Sequence, residues 1–395
     1  MRVAFPATAY LDPTTPRSWS GLPYFMRRAL EGEGVETVIV PLPETARAGS
    51  WARFAWWRLR GRRYLRGCES GRLRAYAREL ERRLPDLEVD AVFSPSSWLI
   101  AYLRTDLPMY FWTDACFAGM VDFYPSFTRL APPSLRAGHA AERAALSGCR
   151  KAIYSSAWAA ETARAAYGVD PAKVAVIPFG ANVPEAPSPE AVEAAVAARA
   201  AGPWRLLLVG VEWERKGCAI AVEALRALLR RGRDARLTIV GCVPPPGTEL
   251  PPEVEVIPFI GKVTPEERRR FAEVFLRSHF FVMPTRAEAY GLVYSEANIY
   301  GVPCLATDVG GLPSVVANDV NGRLFSLAAG GETYAAYVDR ILSDPHRYRT
   351  MALRSAEEAR QRLSWEAAGR RLRLLLGECQ GGAGPLVPER RLARA

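Results

Sequence analysis

Short apolar runs alternate along this chain with stretches whose apolar positions recur every three or four residues. The runs at 2–6, 37–40, 91–93, 109–112, 152–154 and 174–177 predict strands. The periodic stretches at 21–31, 134–146 and 157–167, and two pieces within 51–84, predict helices. Strand and helix in turn predict a parallel sheet covered on both faces. Residues 183–203 interrupt the rhythm: a proline-rich stretch, then an alanine-rich run that predicts a short helix, read together as an interdomain linker. The rhythm then restarts. The run 206–209 is continuously apolar, as a strand buried on both faces requires. Ala221, Ala224, Leu225 and Leu228 share one helical face, and strands are expected at 237–240, 254–257, 280–283 and 304–306. The expectation is an α/β protein of two doubly wound domains, 1–182 and 204–364, with a helix at 365–376 and a loose tail at 379–395.

One segment of the second half stands out chemically. Glu288-Ala-Tyr-Gly-Leu-Val-Tyr-Ser-Glu296 sets two carboxylates with seven residues between them, after the strand 280–283 and across the start of a helix over 293–300. Strand, glycine turn, helix aims the first N–H groups of the helix at whatever lies in front of it, which suits a phosphate. One carboxylate precedes those amides and the other lies inside the helix. A hexose, a diphosphate and a ribose in a row match that layout. Pro284-Thr-Arg286 precedes the block, and Glu296-Ala-Asn-Ile-Tyr-Gly-Val-Pro303, Ala306-Thr-Asp-Val-Gly-Gly311 and Asn321-Gly322 follow it. This order resembles the E-x7-E region of glycosyltransferase family 4, retaining nucleotide-sugar enzymes of GT-B fold. The resemblance implies two Rossmann-like domains with the active site in the cleft between them. It also implies an acceptor-side first domain, a donor-binding second domain, and a 365–376 helix that crosses back onto the first.

By that resemblance, Glu288 binds the hexose hydroxyls and steadies an oxocarbenium-like transition state. The amides of Tyr290, Gly291 and Leu292 face the diphosphate, and Glu296 holds the ribose. Val209-Gly-Val-Glu-Trp-Glu-Arg-Lys-Gly217 is a second strand–loop–helix unit, similar to the family's phosphate-binding Lys-Gly loop. A lysine there adds its charge to the positive end of the helix. The family often carries arginine directly after the strand glycine; here that position is Val211, so the diphosphate rests on Lys216 alone or on Lys216 with Arg215. Gly21 either lets backbone approach the diphosphate or follows an ordinary helix cap at Ser20. Asp114 stands where many relatives have histidine, and either binds a donor or acceptor hydroxyl or caps a loop. Ile260-Gly261-Lys262 falls where the family's base-binding loop lies, and Ser314 where many relatives have glutamate. No Asp-x-Asp pair occurs. Lys216 and the amides are therefore expected to balance the leaving group without a metal, and no cofactor is implied besides the co-substrate. His139, His279 and His346 are assigned no chemistry.

Composition narrows the class. The 395 residues, 49% hydrophobic and 24% charged, suit two globular domains. No run approaches the ~18 apolar residues of a membrane span, and the first residues run directly into a strand without a signal peptide's apolar region, which points to the cytoplasm. Seven cysteines without a C-x-x-C pair predict reduced, buried thiols. The net charge of +10 is concentrated in one place: between Trp51 and Leu84 there are eleven arginines against three acids, interleaved with Trp51, Phe54, Trp56, Trp57 and Tyr64. Three readings of that segment stay open: peripheral docking on an anionic membrane, a hold on an acidic acceptor such as a lipid diphosphate, or a solvated helical face. Nucleic acid fits poorly, because no nucleic-acid fold accompanies the charge.

The reading is a retaining, metal-independent hexosyltransferase of cell-surface polysaccharide or glycolipid assembly. Its rivals are a small-molecule (natural-product) glycosyltransferase and a degenerate, binding-only partner subunit. A sugar-nucleotide epimerase fits less well, since acid/base work over the sugar wants histidines that this chain lacks.

Overall fold

The computed structural model describes residues 1–44, 48–200 and 202–378; the tail expected at 379–395, with Cys379, lies outside the described residues. Twelve strands form two six-stranded sheets. The first holds β1 (Arg2–Ala7), β2 (Glu36–Pro41), β3 (Ala91–Ser94), β4 (Met109–Thr113), β5 (Lys151–Tyr154) and β6 (Val174–Val176), in spatial order β2-β1-β3-β4-β5-β6. The second holds β7 (Trp204–Val209), β8 (Ala235–Val240), β9 (Val254–Ile257), β10 (Phe280–Met283), β11 (Cys304–Thr307) and β12 (Gly322–Phe325), in order β12-β11-β10-β7-β8-β9. Every pairing is parallel.

Helices on the first half are α1 (Leu22–Gly32), α2 (Ala48–Leu59), α3 (Ser70–Arg83), α4 (Phe117–Met120), α5 (Pro132–Gly148) and α6 (Ala157–Tyr167). Then come α7 (Pro189–Ala198), α8 (Cys218–Arg230), α9 (Pro265–Leu276), α10 (Leu292–Ile299), α11 (Gly331–Leu342), α12 (Pro345–Arg362) and α13 (Trp365–Glu378). In α1 the buried Leu22, Phe25, Met26, Ala29 and Leu30 repeat at three and four residues, so one stripe faces the sheet. A capping box of Thr264 and Glu267 opens α9, a helix the apolar pattern did not single out. β12, α11 and α12 are likewise additions to the expected elements. Within the stretch read as a linker, α7 buries Val192 and Val196, and the Arg199 guanidinium just after it donates to the carbonyls of Leu276, Tyr300 and Gly301.

In sheets wound this way, ligands sit beyond the strand C-termini where the winding reverses. In the second sheet that point lies between β7 and β10, so the loops after these two strands, 210–217 and 284–291, meet there. In the first sheet it lies between β1 and β3. The helix α13 crosses to the first half: the Trp365 ring stacks on Phe25 and Phe179 and meets Trp112 edge-on.

Candidate active site

A cleft of about 740 Å³ opens between the two sheets and collects nearly every residue that the sequence marks. Asp114, Arg215, Lys216, Gly261, Lys262, Glu288, Tyr290, Gly291, Leu292 and Glu296 all line it; Gly21 does not, although Ser20 and Leu22 on either side of it do.

The two switch-point loops are laced together. Gly217 starts α8 at φ +71°, and a Cβ there would lie 2.1 Å from the Pro284 carbonyl, so only glycine lets the loops approach this closely. Arg286 N–H and Thr285 Oγ1 both donate to the Arg215 carbonyl, at 2.7 and 3.0 Å. This lacing carries both cations to one carboxylate. Lys216 Nζ lies 2.5 Å from Glu288 Oε2, and an Arg215 guanidinium nitrogen lies 3.6 Å from the same oxygen. Arg215 also pairs with Glu212 and donates to the Ala287 carbonyl at 3.1 Å. Burial opposes the Arg215 charge, but Glu288 and then Glu212 outweigh it and its pKa is raised. Lys216 and Arg215 thus share one wall of the cleft, and Val211, directly after the strand glycine, is exposed on its lining.

Gly291 is the N-cap of α10 at φ +84°. The N–H groups of Tyr290, Gly291 and Leu292 donate to no protein acceptor among the described residues, which leaves a helix N-terminus with its amides turned to the cleft. One and a half turns on, the buried Glu296 is paired with Lys262. The carboxylates of the motif are therefore on either side of the free amides, each already held by a lysine. Lys262 comes from the 260–262 loop, which directly follows Phe259, 71% exposed and also lining the cleft.

The first half supplies the opposite wall. Burial pushes the Asp114 carboxyl up to about 6; bonds from its own and the Ala115 N–H oppose this, and the charge on Glu288 adds to it. Gly21, not Ser20, is the N-cap of α1, at φ +84° with no side-chain cap bond, so the Ser20 cap is not the arrangement found. Trp19 and Ser20 precede it at φ +42° and +57°, a left-handed turn of non-glycine residues that costs about 1–3 kcal/mol each. Asn182 clamps that turn: its amide donates to the Ser20 carbonyl at 2.6 Å and its oxygen accepts from Trp365 Nε1 at 2.9 Å.

Sequence reading missed Tyr124. Its hydroxyl accepts from the Ala289 N–H across the cleft at 2.7 Å, and Arg215 lies over its ring at 5.3 Å. Nothing local signals a contact between residues 165 positions apart. Phe259 was missed as well, although an aromatic two residues before Gly261 is a signal the sequence holds. The histidines keep structural places: His139 Nδ1 meets Tyr167 hydroxyl at 3.0 Å, and buried His279 bridges Arg205 N–H and the Arg199 carbonyl. Six described cysteines are buried and free. Among the described residues no three His, Cys, Asp or Glu side chains gather as metal ligands, and no helix is long and apolar enough to cross a membrane.

Comparison with known proteins agrees with this geometry. The family described as Glycosyltransferase Family 4 matches residues 24–184, and that described as Glycosyl transferases group 1 matches 203–344. A D-inositol 3-phosphate glycosyltransferase of Nocardia farcinica is 32% identical over 250 residues, 58% of this chain and 54% of that protein. The chain spans about half the length of the curated relatives it matches. Among solved structures, a sucrose-phosphate synthase from Thermosynechococcus elongatus superposes with TM-score 0.67 at 18% identity, covering 96% of this chain and 99% of that one. The HepE protein of Anabaena, solved with UDP-glucose, superposes with TM-score 0.63 at 15% identity, covering 96% and 100%. The structures share the GT-B fold, and the two sequence matches take one half each: this chain belongs to glycosyltransferase family 4.

Proposed function

We propose that the chain is a retaining, metal-independent hexosyltransferase that moves a hexose from a nucleoside diphosphate to an acceptor hydroxyl. The observation that carries this reading is the convergence of Lys216 and Arg215 on Glu288, beside three free amides and one helix turn from Glu296. Glu288 holds the hexose hydroxyls and stabilises positive charge at the anomeric carbon. Lys216, Arg215 and the amides of Tyr290, Gly291 and Leu292 take the charge that grows on the diphosphate as the anomeric C–O bond breaks. Preorganised donors of this kind contribute roughly 3–4 kcal/mol each. The departing phosphate oxygen accepts the acceptor's proton as the new C–O bond forms on the same face, so no enzymic base is needed. Asp114 orients a hydroxyl from the facing wall.

Glu296 takes the ribose hydroxyls and shares them with Lys262; Phe259 stacks on the base, beside the backbone of Gly261. The complex of HepE with UDP-glucose supports a uridine nucleotide as the first donor to try. The setting is polysaccharide or glycolipid assembly at the cytoplasmic membrane face. A binding-only partner subunit fits less well, since such a protein has no need for two cations beside one buried carboxylate.

The test is thermal shift with UDP, GDP, ADP and their hexose conjugates, with and without EDTA. Ligand at about 100 times its Kd adds roughly 2.7 kcal/mol. A shift with one nucleotide, indifferent to EDTA and lost in Lys216→Ala, is the expected result. No shift with any nucleotide refutes the reading.

A further inference from the structure

The helix α2 presents an apolar stripe outward. Ser50, Phe54 and Trp57 turn toward the protein, spaced four and three apart, and are buried or half-buried. Trp51, Ala52, Ala55, Trp56 and Leu59 lie on one arc of the opposite side, flanked by Arg53 and Arg58, and all five are exposed: Leu59 at 86%, Trp51 at 57%, Trp56 at 54%. The usual arrangement is thus inverted, since the better apolar face looks away from the core. A contiguous apolar face of this kind marks an interaction surface.

The rim of the stripe is cationic. Arg60 lies over the Trp56 ring at 3.4 Å and Arg66 over the Trp51 ring at 3.5 Å. Among the described residues Arg58, Arg60, Arg62, Arg63 and Arg66 have no acid within ion-pair distance. Arg53, by contrast, is paired with Glu69. The next helix shows what a merely solvated basic face looks like. In α3 the apolar Leu73, Tyr76, Ala77 and Leu80 are all buried, and Arg82 and Arg83 are tied to Glu79. Arg72, Arg74 and Arg78 of α3 are likewise outside ion-pair distance of any described acid, so the Arg-rich segment divides by its apolar residues: α3 buries them and α2 exposes them.

We propose that α2 with the 58–66 loop is a docking surface for an anionic phospholipid bilayer. Tryptophan prefers the headgroup boundary, leucine enters the acyl edge, and arginines snorkel to lipid phosphates from the rim. The stripe lies flat on the bilayer; at 12 residues the helix cannot span one. Its place in the fold suits this role. β2 runs parallel to β1, so the chain leaves it toward α2 at the same end as the β1 loop that lines the cleft. A bilayer under α2 then lies on the cleft side of the first sheet. The surface stands independently of the reaction proposed above.

The experiment is sedimentation of the full chain with vesicles of phosphatidylcholine, alone or with about 30% phosphatidylglycerol. Binding to the anionic vesicles is expected to exceed that to neutral ones at least tenfold at ~0.1 M salt, with a blue shift of tryptophan emission. The double substitution Trp51→Ala and Trp56→Ala is expected to weaken it about tenfold or more with an unchanged melting temperature, because both side chains are exposed. Arg74→Ala with Arg78→Ala, on α3, is expected to leave most of it intact. Equal binding to both vesicle types overturns the proposal. So does anionic binding that survives loss of both tryptophans, or a dimer that only those tryptophans hold together while vesicles are ignored.

Discussion

Lys216 and Glu288 form a buried pair whose second cation, Arg215, decides what each substitution does. Breaking a buried pair by removing one partner usually costs about 3–5 kcal/mol, because the other charge is stranded. Here Arg215 stays on Glu288, so Lys216→Ala is expected to fold with a smaller loss than that. Its effect on turnover is larger: loss of one preorganised donor to the leaving group lowers kcat by roughly 10²–10³-fold. Nucleotide release measured beside urea denaturation separates the two effects, and a variant that loses stability but keeps turnover removes Lys216 from the proposed mechanism. Asp114 gives a pH signature. With its pKa near 6, it is protonated below that point and is then a weaker, uncharged acceptor for a hydroxyl. The transfer rate is expected to rise through about pH 6 and then level, and Asp114→Asn is expected to erase that limb. Tyr124→Phe keeps the ring under Arg215 but removes the acceptor of the Ala289 N–H. An unsatisfied buried amide costs about 1–3 kcal/mol, which urea midpoints will resolve.

Elements show where local pattern suffices and where it does not. β7 and β10 were legible because strands buried on both faces are continuous apolar runs. α10 was legible from the glycine turn that opens it. Gly291→Ala tests that turn: at φ +84° a Cβ would come within 2.6 Å of the Tyr294 ring and 3.0 Å of Leu312, so the helix start must shift and carry its amides with it. Gly34 also has positive φ, but its Cβ would meet open space. Both substitutions are expected to cost stability, about 1 kcal/mol for Gly34→Ala. Only Gly291→Ala is expected to abolish the nucleotide-induced thermal shift. α2 marks the limit of pattern reading. Its apolar arc reads like any core-facing stripe, and nothing in its own spacing says that Phe54 and Trp57 turn in while Trp51 and Trp56 turn out. β12 was missed because Gly322-Arg-Leu-Phe325 is a half-exposed edge strand without a continuous apolar run. The left-handed turn at Trp19 and Ser20 is held by Asn182, far along the chain, and no local preference announces it.

At the scale of the molecule, the halves are fastened by contacts that no single segment contains. Tyr290 hydroxyl donates to the Phe179 carbonyl at 2.6 Å, Ser314 Oγ accepts from Ala157 N–H at 3.0 Å, and Trp365 is wedged among rings of the first half. Ionisation in one half's core is therefore felt by the whole fold. Glu142 on α5 is almost wholly buried, with Ser97 donating to one oxygen at 2.9 Å and, among the described residues, no hydrogen-bond partner on the other. Burial pushes its pKa from 4.5 up to about 7. Between those values the native state keeps a proton that the unfolded chain releases, so stability is fully present at the acid end of this window and falls as pH rises. The slope is about 1.4 kcal/mol per pH unit, roughly 3 kcal/mol in all. Asp114 adds the same sign between its ordinary value and about 6. Glu69 and Glu267, whose pKa values are lowered, act only below the ordinary glutamate range. Buried His279, held down to about 4, and His139, also lowered, have the opposite sign up to the ordinary histidine value, so urea denaturation from pH 5 to 8 is expected to show the decline from about pH 6.5 upward. Glu142→Gln, which keeps the shape and the Ser97 bond without the charge, is expected to flatten most of that decline and to exceed the parent protein in stability at pH 8. A parent whose stability instead climbs through this range, with Glu142→Gln running parallel, means that the carboxyl is ionised in the native core and that burial does not govern it.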